Sequence, residues 1–315
     1  MSHPRLRFLG LGAAMPEKRL TNADLATMVE TDNEWILSRT GIQERRILGP
    51  EEKLTDLTTA AARQALENSG VASSEIDLVL MATWTPEHLA PSVACATTRN
   101  LGIPQVPAFD LNAACSGFIY ALSVADAYIR AGIYRKILIV TGEAQSRYVD
   151  YADRGTCILF GDGAAAAVVG AAEEGDSAGL LGLIMGADST GSELITLPRE
   201  GRIGMNGREV FKFAVKTMND ALGKSLTAAN IHESQVDWLV PHQANIRIID
   251  SAAERLSLPT ERVVRNISEY GNTAAVSIPL ALYEAWNRGD VKPGHILALV
   301  GFGAGFTYGS AIVRW

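Results

Sequence analysis

A cysteine at the predicted start of a helix is the first residue whose position points to chemistry. Cys115 lies in the segment FDLNAACSGF (residues 109–118), between a strand-like apolar run and the first turn of a helical pattern. At a helix N-terminus, unpaired backbone N–H groups and the positive end of the helix dipole favour the thiolate and lower the pKa of the thiol. We therefore predict that Cys115 is a nucleophile. Cys95 and Cys157 stand among small or apolar residues and are interpreted as packing residues.

Two polar residues in the second half of the chain occupy positions that suit a catalytic site. His242 follows the strand-like run Trp238–Val240, where the apolar pattern stops and a polar segment begins. Functional sites of α/β proteins form at strand ends. Asn272 belongs to the segment YGNT (residues 270–273), and a Gly-Asn pair taken alone indicates only a turn. Together with Cys115, these residues are candidates for one site.

Cys, His and Asn in this order allow two classes of enzyme. In a papain-like cysteine protease, the histidine activates the thiol and the asparagine orients the histidine. The local C-G-[SA]-C-[WY] motif of that class is absent, and nothing in the sequence indicates export. In an acyl-transferring condensing enzyme, the thiol carries an acyl group and two neutral hydrogen-bond donors stabilise a thioester enolate. We therefore favour the condensing enzyme.

Length and composition place the chain among ordinary soluble globular proteins. It has 315 residues, of which 47% are hydrophobic and 20% are charged, and its formal net charge is −7. These values exclude a disordered, collagen-like or disulfide-rich scaffold and predict two domains or one large one. The negative charge argues against duplex nucleic acid as the main partner, because phosphate binding requires a concentrated basic surface.

The sequence predicts neither a membrane span nor export. The longest stretch of small or apolar residues, Ala164–Ala172, is far shorter than the roughly 20 residues of a spanning helix. Arg5 and Arg7 precede an apolar run as in a signal peptide, but Gly10 and Gly12 interrupt that run and no small-residue cleavage site follows. We interpret it as a first β-strand. Three cysteines without paired spacing fit a reducing compartment, so we predict a cytoplasmic protein without a metal.

Short internal matches indicate a duplication of about half the chain. Three pairs of segments match in the same order: SSEIDLVLMAT at residue 73 with ESQVDWLVPHQ at residue 233, LGIP at 101 with LSLP at 256, and KILIV at 136 with HILALV at 295. The first pair aligns Asp77 with Asp237. Each match is short, so the similar spacing of all three carries the argument.

Strands and helices alternate within each half. Continuous apolar runs such as Leu78–Ala82 and Ile137–Val140 predict strands buried on both faces. The patterns over residues 54–68 and 116–130 predict amphipathic helices. This alternation is typical of layered α/β proteins.

A charged, Gly-containing stretch near the middle of the chain is the predicted boundary between the halves. We place the division there, which gives an N-terminal half of residues 1–172 and a C-terminal half of residues 173–315. The segment 182–207 contains several glycines and little periodicity, and it is predicted to form a loop over a site.

Six segments resemble those of β-ketoacyl-acyl-carrier-protein synthase III. They are TDNEWILSRTGIQER, DLNAACSGF, ADRGTCILFGDGAAAAVV, LVPHQANIRI, EYGNTAAVSIP and GFGAGFTYGS, and the resemblance extends from about residue 8 to residue 315. It implies the thiolase fold, in which two similar α/β halves form a five-layer α-β-α-β-α body, usually as a homodimer. It also implies decarboxylative condensation of a primer acyl-CoA with malonyl-acyl carrier protein (malonyl-ACP), which starts type II fatty acid synthesis.

The resemblance assigns a role to each candidate catalytic residue. Cys115 would receive the acyl group of the primer, and His242 and Asn272 would bind the thioester carbonyl of malonyl-ACP as carbon dioxide leaves. The backbone N–H groups of Cys115 and Ala304 would form the oxyanion hole of the acyl-enzyme. The family more often has Gly at the position of Ala304, and a backbone donor tolerates Ala if φ is negative. Phe302 resembles the aromatic residue that favours decarboxylation.

The resemblance also assigns substrate contacts. The residues matching the family's CoA contacts are Trp35, Arg39, Arg154, Gly207, Phe211, Asn245 and Arg247. The residues expected to bind the acidic carrier protein are Lys212, Arg247 and Arg255, with Arg208 as a further candidate and Glu254 replacing a basic residue of some members. The partial motif Gly10-Leu-Gly12 lacks the third glycine of a dinucleotide site, so no NAD, FAD or other redox cofactor is expected.

The acyl pocket is the least determined part of the resemblance. The residues expected to line it are Ala90, Trp84, Gln145, Phe160, Ile203 and Met205. Ala90 stands where a Phe from the partner subunit can limit chain length, so we predict room for primers larger than acetyl unless Trp84 refills the space. A specialised synthase or acyltransferase of secondary metabolism is the alternative within the family. A non-catalytic scaffold is disfavoured because Cys115, His242 and Asn272 are all present.

Overall fold

A computed structural model of the chain describes residues 4–103 and 105–315. Its strands are β1 (Leu6–Ala14), β2 (Arg19–Thr21), β3 (Glu44–Arg46), β4 (Leu78–Ala82), β5 (Ala108–Leu111), β6 (Lys136–Glu143), β7 (Gly163–Ala171), β8 (Gly179–Ala187), β9 (Ile195–Thr196), β10 (Gly204–Met205), β11 (Trp238–Pro241), β12 (Ile296–Gly303) and β13 (Thr307–Arg314). Its α-helices are α1 (Asn22–Ala26), α2 (Asn33–Thr40), α3 (Leu54–Ser69), α4 (Val93–Asn100), α5 (Gly117–Arg130), α6 (Arg154–Cys157), α7 (Gly207–Ala229), α8 (Ile246–Arg255), α9 (Ile267–Tyr270) and α10 (Ser277–Asn287).

Two sheets have the same strand order. The first runs β1-β7-β6-β4-β5 and the second runs β8-β13-β12-β11. In each sheet the strand that follows the central helix is parallel to the strand beside it: β6 follows α5 and pairs with β4, and β12 follows α10 and pairs with β11. The register is also shared, since Leu78 pairs with Ile137 and Trp238 pairs with Leu297. A single bridge from Leu239 to Val263 takes the place that β5 has in the first sheet.

The internal matches correspond to repeated contacts. The Asp77 carboxylate accepts the N–H of Lys136, and the Asp237 carboxylate accepts the N–H of Ile296. Asp77 and Asp237 are 160 residues apart, and so are their partners Lys136 and Ile296, which confirms this offset. The structural equivalent of Lys136, the first residue of KILIV, is therefore Ile296 and not His295 as in the sequence match. Gly102 and Ser257, in the second matched pair, both have positive φ (64° and 50°). The duplication predicted from sequence is therefore confirmed.

Helices occupy three layers around the two sheets. The central helices α5 and α10 pack against both sheets, and the α5 side chains Phe118, Ile119 and Leu122 are fully buried. Helices α3 and α4 cover the outer face of the first sheet, while α7 and α8 cover that of the second. The result is the predicted five-layer α-β-α-β-α arrangement, because each sheet is apolar on both faces and must be covered twice.

The predicted first strand and the two predicted amphipathic helices are present as β1, α3 and α5. The predicted loop at 182–207 is partly wrong, because its first six residues belong to β8. The prediction took Gly182 as a sign of a loop. In the structure a Cβ on Gly182 would lie 2.6 Å from the backbone N of Ala229 in α7, so this glycine allows the helix to pack closely on the strand. The segment 172–178 joins β7 to β8, and the boundary at residues 172 and 173 stays a prediction. Among the residues that the structure describes, no helix is long and apolar enough to cross a membrane.

Candidate active site

A cavity of about 700 Å³ brings together residues from both halves of the chain. Cys115, His242, Asn272, Phe302 and Ala304 all contribute to its wall. Phe302 is among the last residues of β12, and the others belong to segments that follow the carboxyl ends of β5, β11 and β12 or to the turn before α10. Two sheets of equal topology place these ends next to each other across the central helices. The residues separated by up to 189 positions in sequence therefore share one site.

Equivalent turns hold Cys115 and Asn272. The Asn112 Oδ1 atom accepts the N–H of Ala114 at 3.1 Å, and the Asn272 Oδ1 atom accepts the N–H of Ala274 at 2.9 Å. Ala114 and Ala274 both have a φ of 46°. In the first half, this turn leads through Cys115 into α5. In the second half, it engages the carbonyl oxygen of the Asn272 side chain, so the amide nitrogen is the group left to donate to a substrate.

The surroundings of the Cys115 thiol favour its protonated form. Burial raises its pKa, and the negative charge of Glu143 raises it further, while its own backbone N–H acts in the opposite direction. The expectation of a lowered pKa was wrong, because burial disfavours the thiolate more than this N–H favours it.

His242 is neutral and fully buried. Burial lowers its pKa to about 3. Its Nδ1 atom lies 2.6 Å from the hydroxyl oxygen of Ser277, and its Nε2 atom has no hydrogen-bond partner among the described residues. The ring meets that of Phe302 edge-on, with the centroids 5.3 Å apart. One ring nitrogen is thus held by the protein, and the other is available to a substrate.

The end of β12 approaches the Cys115 turn closely enough to require glycine. A Cβ on Gly303 would lie 2.6 Å from the backbone N of Cys115. This approach places the next residue, Ala304, in the same cavity wall as Cys115. Ala304 does not have a positive φ, so its methyl group causes no backbone strain and leaves its N–H a possible oxyanion donor.

Aromatic rings and guanidinium groups form another part of the cavity wall. The Trp35 ring lies between two arginines, with the Cζ atoms of Arg39 and Arg154 at 5.0 and 4.6 Å from its centroid. The Cζ atom of Arg247 lies 5.2 Å from the Phe211 ring. Planar rings flanked by cations suit an adenine ring and phosphate groups.

The structure brings together most of the predicted CoA contacts. Trp35, Arg39, Gly207, Phe211, Asn245 and Arg247 line the cavity. The Asn245 side chain donates to the carbonyl of Arg39 and caps α8 by accepting the N–H of Arg247. Arg154 does not line the cavity itself, but it stacks on Trp35 and donates to the carbonyl of Glu30.

The predicted basic residues fall into two groups. Lys212 and Arg247 lie at the cavity, as does Arg208. Arg255 does not: it forms an ion pair of 2.7 Å with Glu233 and lies in a separate depression beside Lys224. The structure therefore separates Arg255 from the cavity, because two turns of α8 lie between it and Arg247.

Three of the six residues predicted for the acyl pocket line the cavity. Trp84, Phe160 and Met205 do so, and the rings of Trp84 and Phe160 are 6.5 Å apart. Ile203 is buried without contributing to the wall, and Ala90 is exposed on the surface of the chain. Gln145 is not part of the cavity wall: it is fully buried, and its Nε2 donates to the carbonyls of Gly161 (2.8 Å) and Asn272 (2.9 Å).

Sequence reasoning missed the polar residues that support the site. Ser277 was the single hydroxyl in the apolar run AAVSIPLAL, which is a signal that could have identified it. Glu143 is the last residue of the apolar strand β6 and is fully buried. A charged residue at the end of an apolar run is the signal that could have identified it. Within the described ranges, no group of three or more His, Cys, Asp or Glu residues is arranged to hold a metal ion.

The first half of a duplicated five-layer body supplies a buried thiol, and the second half supplies two neutral hydrogen-bond donors. This combination defines the class of thiolase-fold condensing enzymes. The comparisons with known proteins agree. The family model described as 3-oxoacyl-[acyl-carrier-protein (ACP)] synthase III matches residues 109–189, and the model of its C-terminal region matches residues 226–315. The chain belongs to the β-ketoacyl-ACP synthase III family.

Relatives and solved structures match the chain over nearly its whole length. The β-ketoacyl-ACP synthase III of Thioalkalivibrio sulfidiphilus is 47% identical over 98% of this chain and 99% of its own. The crystal structure of 3-oxoacyl-ACP synthase III from Aquifex aeolicus has a TM-score of 0.95 and 43% identity, covering 98% of this chain and 100% of its own. The priming β-ketosynthase of the R1128 polyketide pathway has a TM-score of 0.93 and 36% identity, covering 99% of this chain and 97% of its own.

Proposed function

We propose that this protein condenses a primer acyl-CoA with malonyl-ACP through an acyl-enzyme on Cys115, the reaction that starts type II fatty acid synthesis. The observation that supports this most is the position of the Cys115 thiol in one cavity with His242 Nε2 and the Asn272 amide. The same cavity carries Trp35 and its flanking arginines, as an acyl-CoA requires.

The first step is acyl transfer to the thiol. The Cys115 sulfur attacks the thioester carbon, a new sulfur–carbon bond forms, and the bond to the CoA sulfur breaks. The thiol proton leaves with the CoA thiolate as CoA thiol. Backbone N–H groups of Cys115 and Ala304 stabilise the tetrahedral oxyanion. His242 is a hydrogen-bond donor here rather than the residue that keeps the proton, because its lowered pKa disfavours the imidazolium.

The second step is decarboxylation and carbon–carbon bond formation. Malonyl-ACP loses carbon dioxide, and the electron pair of the broken bond becomes an enolate whose oxygen accepts hydrogen bonds from His242 Nε2 and Asn272 Nδ2. The enolate carbon attacks the acyl-enzyme carbonyl, the bond from that carbonyl carbon to the Cys115 sulfur breaks, and the departing thiolate takes up one proton from solvent. Neutral donors stabilise the enolate without protonating it. Phe302 keeps this side of His242 apolar, which disfavours the carboxylate relative to carbon dioxide.

The carrier protein docks at the basic residues beside the cavity. Arg208, Lys212 and Arg247 are the cations in its wall near Phe211, and they give a local positive surface on a chain of net charge −7. Such a surface attracts an acidic partner. No metal or redox cofactor takes part in the proposed steps: the electron pairs come from the thiol, the thioester and the malonyl carboxylate, and one proton is taken up from solvent.

The active form is a cytoplasmic homodimer. Strand β5 is the edge of the first sheet, and its Phe109 side chain is exposed. Leu89, in the segment before α4, is exposed as well. A second copy that paired with this edge would cover Phe109. It would also bring the exposed Ala90 of each subunit toward its partner.

Intact-mass measurement of the protein with separate acyl-CoAs tests the function. We expect one acyl group per chain on Cys115, no addition in Cys115→Ser, and release of a β-ketoacyl-ACP when malonyl-ACP is added. Acylation without condensation would contradict this function and identify an acyltransferase instead.

A further inference from the structure

A fully buried carboxylate lies next to the acyl pocket, outside the catalytic set. Glu143 is the last residue of β6 and has no exposed surface. Its Oε2 atom accepts hydrogen bonds from the hydroxyls of Thr85 (2.5 Å) and Thr83 (3.3 Å). The backbone N–H of Trp84 lies 3.3 and 3.4 Å from the two carboxylate oxygens. Burial raises the pKa of Glu143 to about 8, and these donors oppose the rise.

The hydrogen bonds tie the turn that follows β4 to the end of β6. The Thr85 hydroxyl oxygen also accepts the N–H of Ala144 at 2.9 Å, and the Thr83 hydroxyl oxygen accepts the N–H of Thr85 at 3.1 Å. Both hydroxyls therefore donate to Glu143 while accepting from the backbone. The middle residue of this turn is Trp84. Its backbone is held in place because its own N–H and the hydroxyls on either side of it all point at the Glu143 carboxylate.

Trp84 is the large side chain of this turn that reaches the cavity. It lines the same wall as Cys115 and packs beside Phe160. Ala90, the other residue considered as a limit on chain length, is exposed and contributes nothing to the cavity of its own chain. Of these two residues, the indole is therefore the one that limits the space which this chain itself leaves open to an acyl group.

We infer that Glu143 is a positioning residue for primer specificity, because its carboxylate holds Thr83–Thr85 so that the Trp84 indole limits the length of the acyl group on Cys115. This inference rests on the proposed function. In its ionised form, which these donors favour against the effect of burial, the Glu143 carboxylate accepts at both oxygens and can satisfy three buried donors at once. A glutamine at this position has one acceptor oxygen, and its NH2 group would face the donors of the Trp84 turn without accepting from them.

Selectivity between primers is sensitive to the position of such a wall. One methylene group in an apolar pocket changes the specificity constant by about 10-fold to 200-fold. Releasing the Trp84 turn should therefore change the ratio of rates for long and short primers more than it changes the reaction itself. A residue that served only to stabilise the fold would lower the rates for all primers together.

The test compares rates of Cys115 acylation by acetyl-CoA, butyryl-CoA and hexanoyl-CoA, measured by intact mass. The variants are Glu143→Gln, Trp84→Ala and the matched pair Thr85→Val and Thr85→Ser, of which only Thr85→Ser keeps a hydroxyl. Thermal unfolding checks that each variant is folded. We expect the hexanoyl-to-acetyl ratio to rise by about tenfold in Glu143→Gln, Thr85→Val and Trp84→Ala. Thr85→Ser should keep the ratio of the parent protein.

The Thr85 pair decides the question if Glu143→Gln does not fold. The inference is overturned if Trp84→Ala changes the ratio while Glu143→Gln and Thr85→Val do not, or if Thr85→Ser changes it as much as Thr85→Val. If no acyl-CoA acylates the parent protein, both the proposed function and this inference fail. If acylation occurs and all ratios stay constant, the proposed function stands and this inference alone fails.

Discussion

The hydroxyl oxygen of Ser277 lies 2.6 Å from Nδ1 of His242, and both residues are fully buried. The backbone N–H of Gln243 points at the same hydroxyl oxygen from 3.4 Å and uses one of its lone pairs, which leaves the hydroxyl hydrogen free to point at the ring. Donation from Ser277 makes Nδ1 the acceptor and puts the imidazole hydrogen on Nε2. That is the tautomer in which a neutral histidine donates to a thioester oxygen.

Replacing Ser277 by alanine should slow condensation more than acylation. Without the hydroxyl, the ring loses its preference for the Nε2–H tautomer, and we expect kcat for condensation to fall by about tenfold or more. Acylation of Cys115 by acyl-CoA, followed by intact mass, should change little because backbone groups stabilise that step. Ser277→Thr keeps a hydroxyl and should restore most of the rate. An equal loss of both steps in Ser277→Ala would contradict the positioning role.

Acid should destabilise the protein through His242. Burial lowers its pKa from the ordinary 6.5 of an exposed histidine to about 3 in the folded state. Between these values the unfolded chain binds a proton that the folded chain does not, so stability falls as the pH falls through this window. The contribution is about 1.4 kcal/mol per pH unit.

Urea unfolding at pH 6.5, 5.5 and 4.5 checks this dependence against His242→Gln, in which the side chain does not titrate. The variant should lose less stability over the window than the parent protein. Identical slopes in the two proteins would show that His242 is not the group responsible. Comparing the two proteins removes the contributions of the carboxylates that they share.

Trp35 should contribute to the binding of CoA rather than to the chemistry. Its ring lies between Arg39 and Arg154, and removing it takes away both the stacking surface and the contacts that hold these cations. We expect Trp35→Ala to raise KM for acyl-CoA by about tenfold, with kcat nearly unchanged. Trp35→Phe should recover part of the loss. A fall in kcat at constant KM would assign Trp35 to the catalytic step instead.

Charge reversal should distinguish the basic residues at the cavity from Arg255. Arg247→Glu is expected to raise KM for malonyl-ACP by about tenfold at low ionic strength, and salt should reduce the difference. Arg255→Glu is the matched control on the same helix, since Arg255 lies outside the cavity and is paired with Glu233. A larger effect from Arg255→Glu would place the docking surface near Lys224 instead.

Gln145→Leu should affect stability and leave primer choice unchanged. The Gln145 amide donates to two buried carbonyls, of Gly161 and Asn272, and leucine would leave both without this donor. We expect the free energy of unfolding to fall by about 1–3 kcal/mol. The ratio of hexanoyl to acetyl loading should equal that of the parent protein. A changed ratio at full stability would return Gln145 to the acyl pocket.

Much of the fold could be predicted because its signals are local. The apolar runs of Leu78–Ala82 and Ile137–Val140 became β4 and β6, and the Ala-rich pattern after residue 54 became α3. Buried strands and amphipathic helices can be recognised from the pattern of apolar residues over a short stretch of sequence. Gly182 shows the limit of that reasoning, because a glycine needed for close packing against Ala229 looks in sequence like a glycine of a loop.

The sequence by itself determined the duplicated α/β plan, and the resemblance of its motifs to one family predicted that Cys115, His242 and Asn272 share a site. Only the tertiary structure decided the state of these groups. The raised pKa of Cys115, the hydroxyl at Nδ1 of His242 and the separation of Arg255 from the cavity depend on burial and on contacts between distant segments. The bond from Thr85 to Glu143 joins residues 58 positions apart. Desolvation and hydrogen-bond partners are properties of the packed interior, which no local pattern of residues contains.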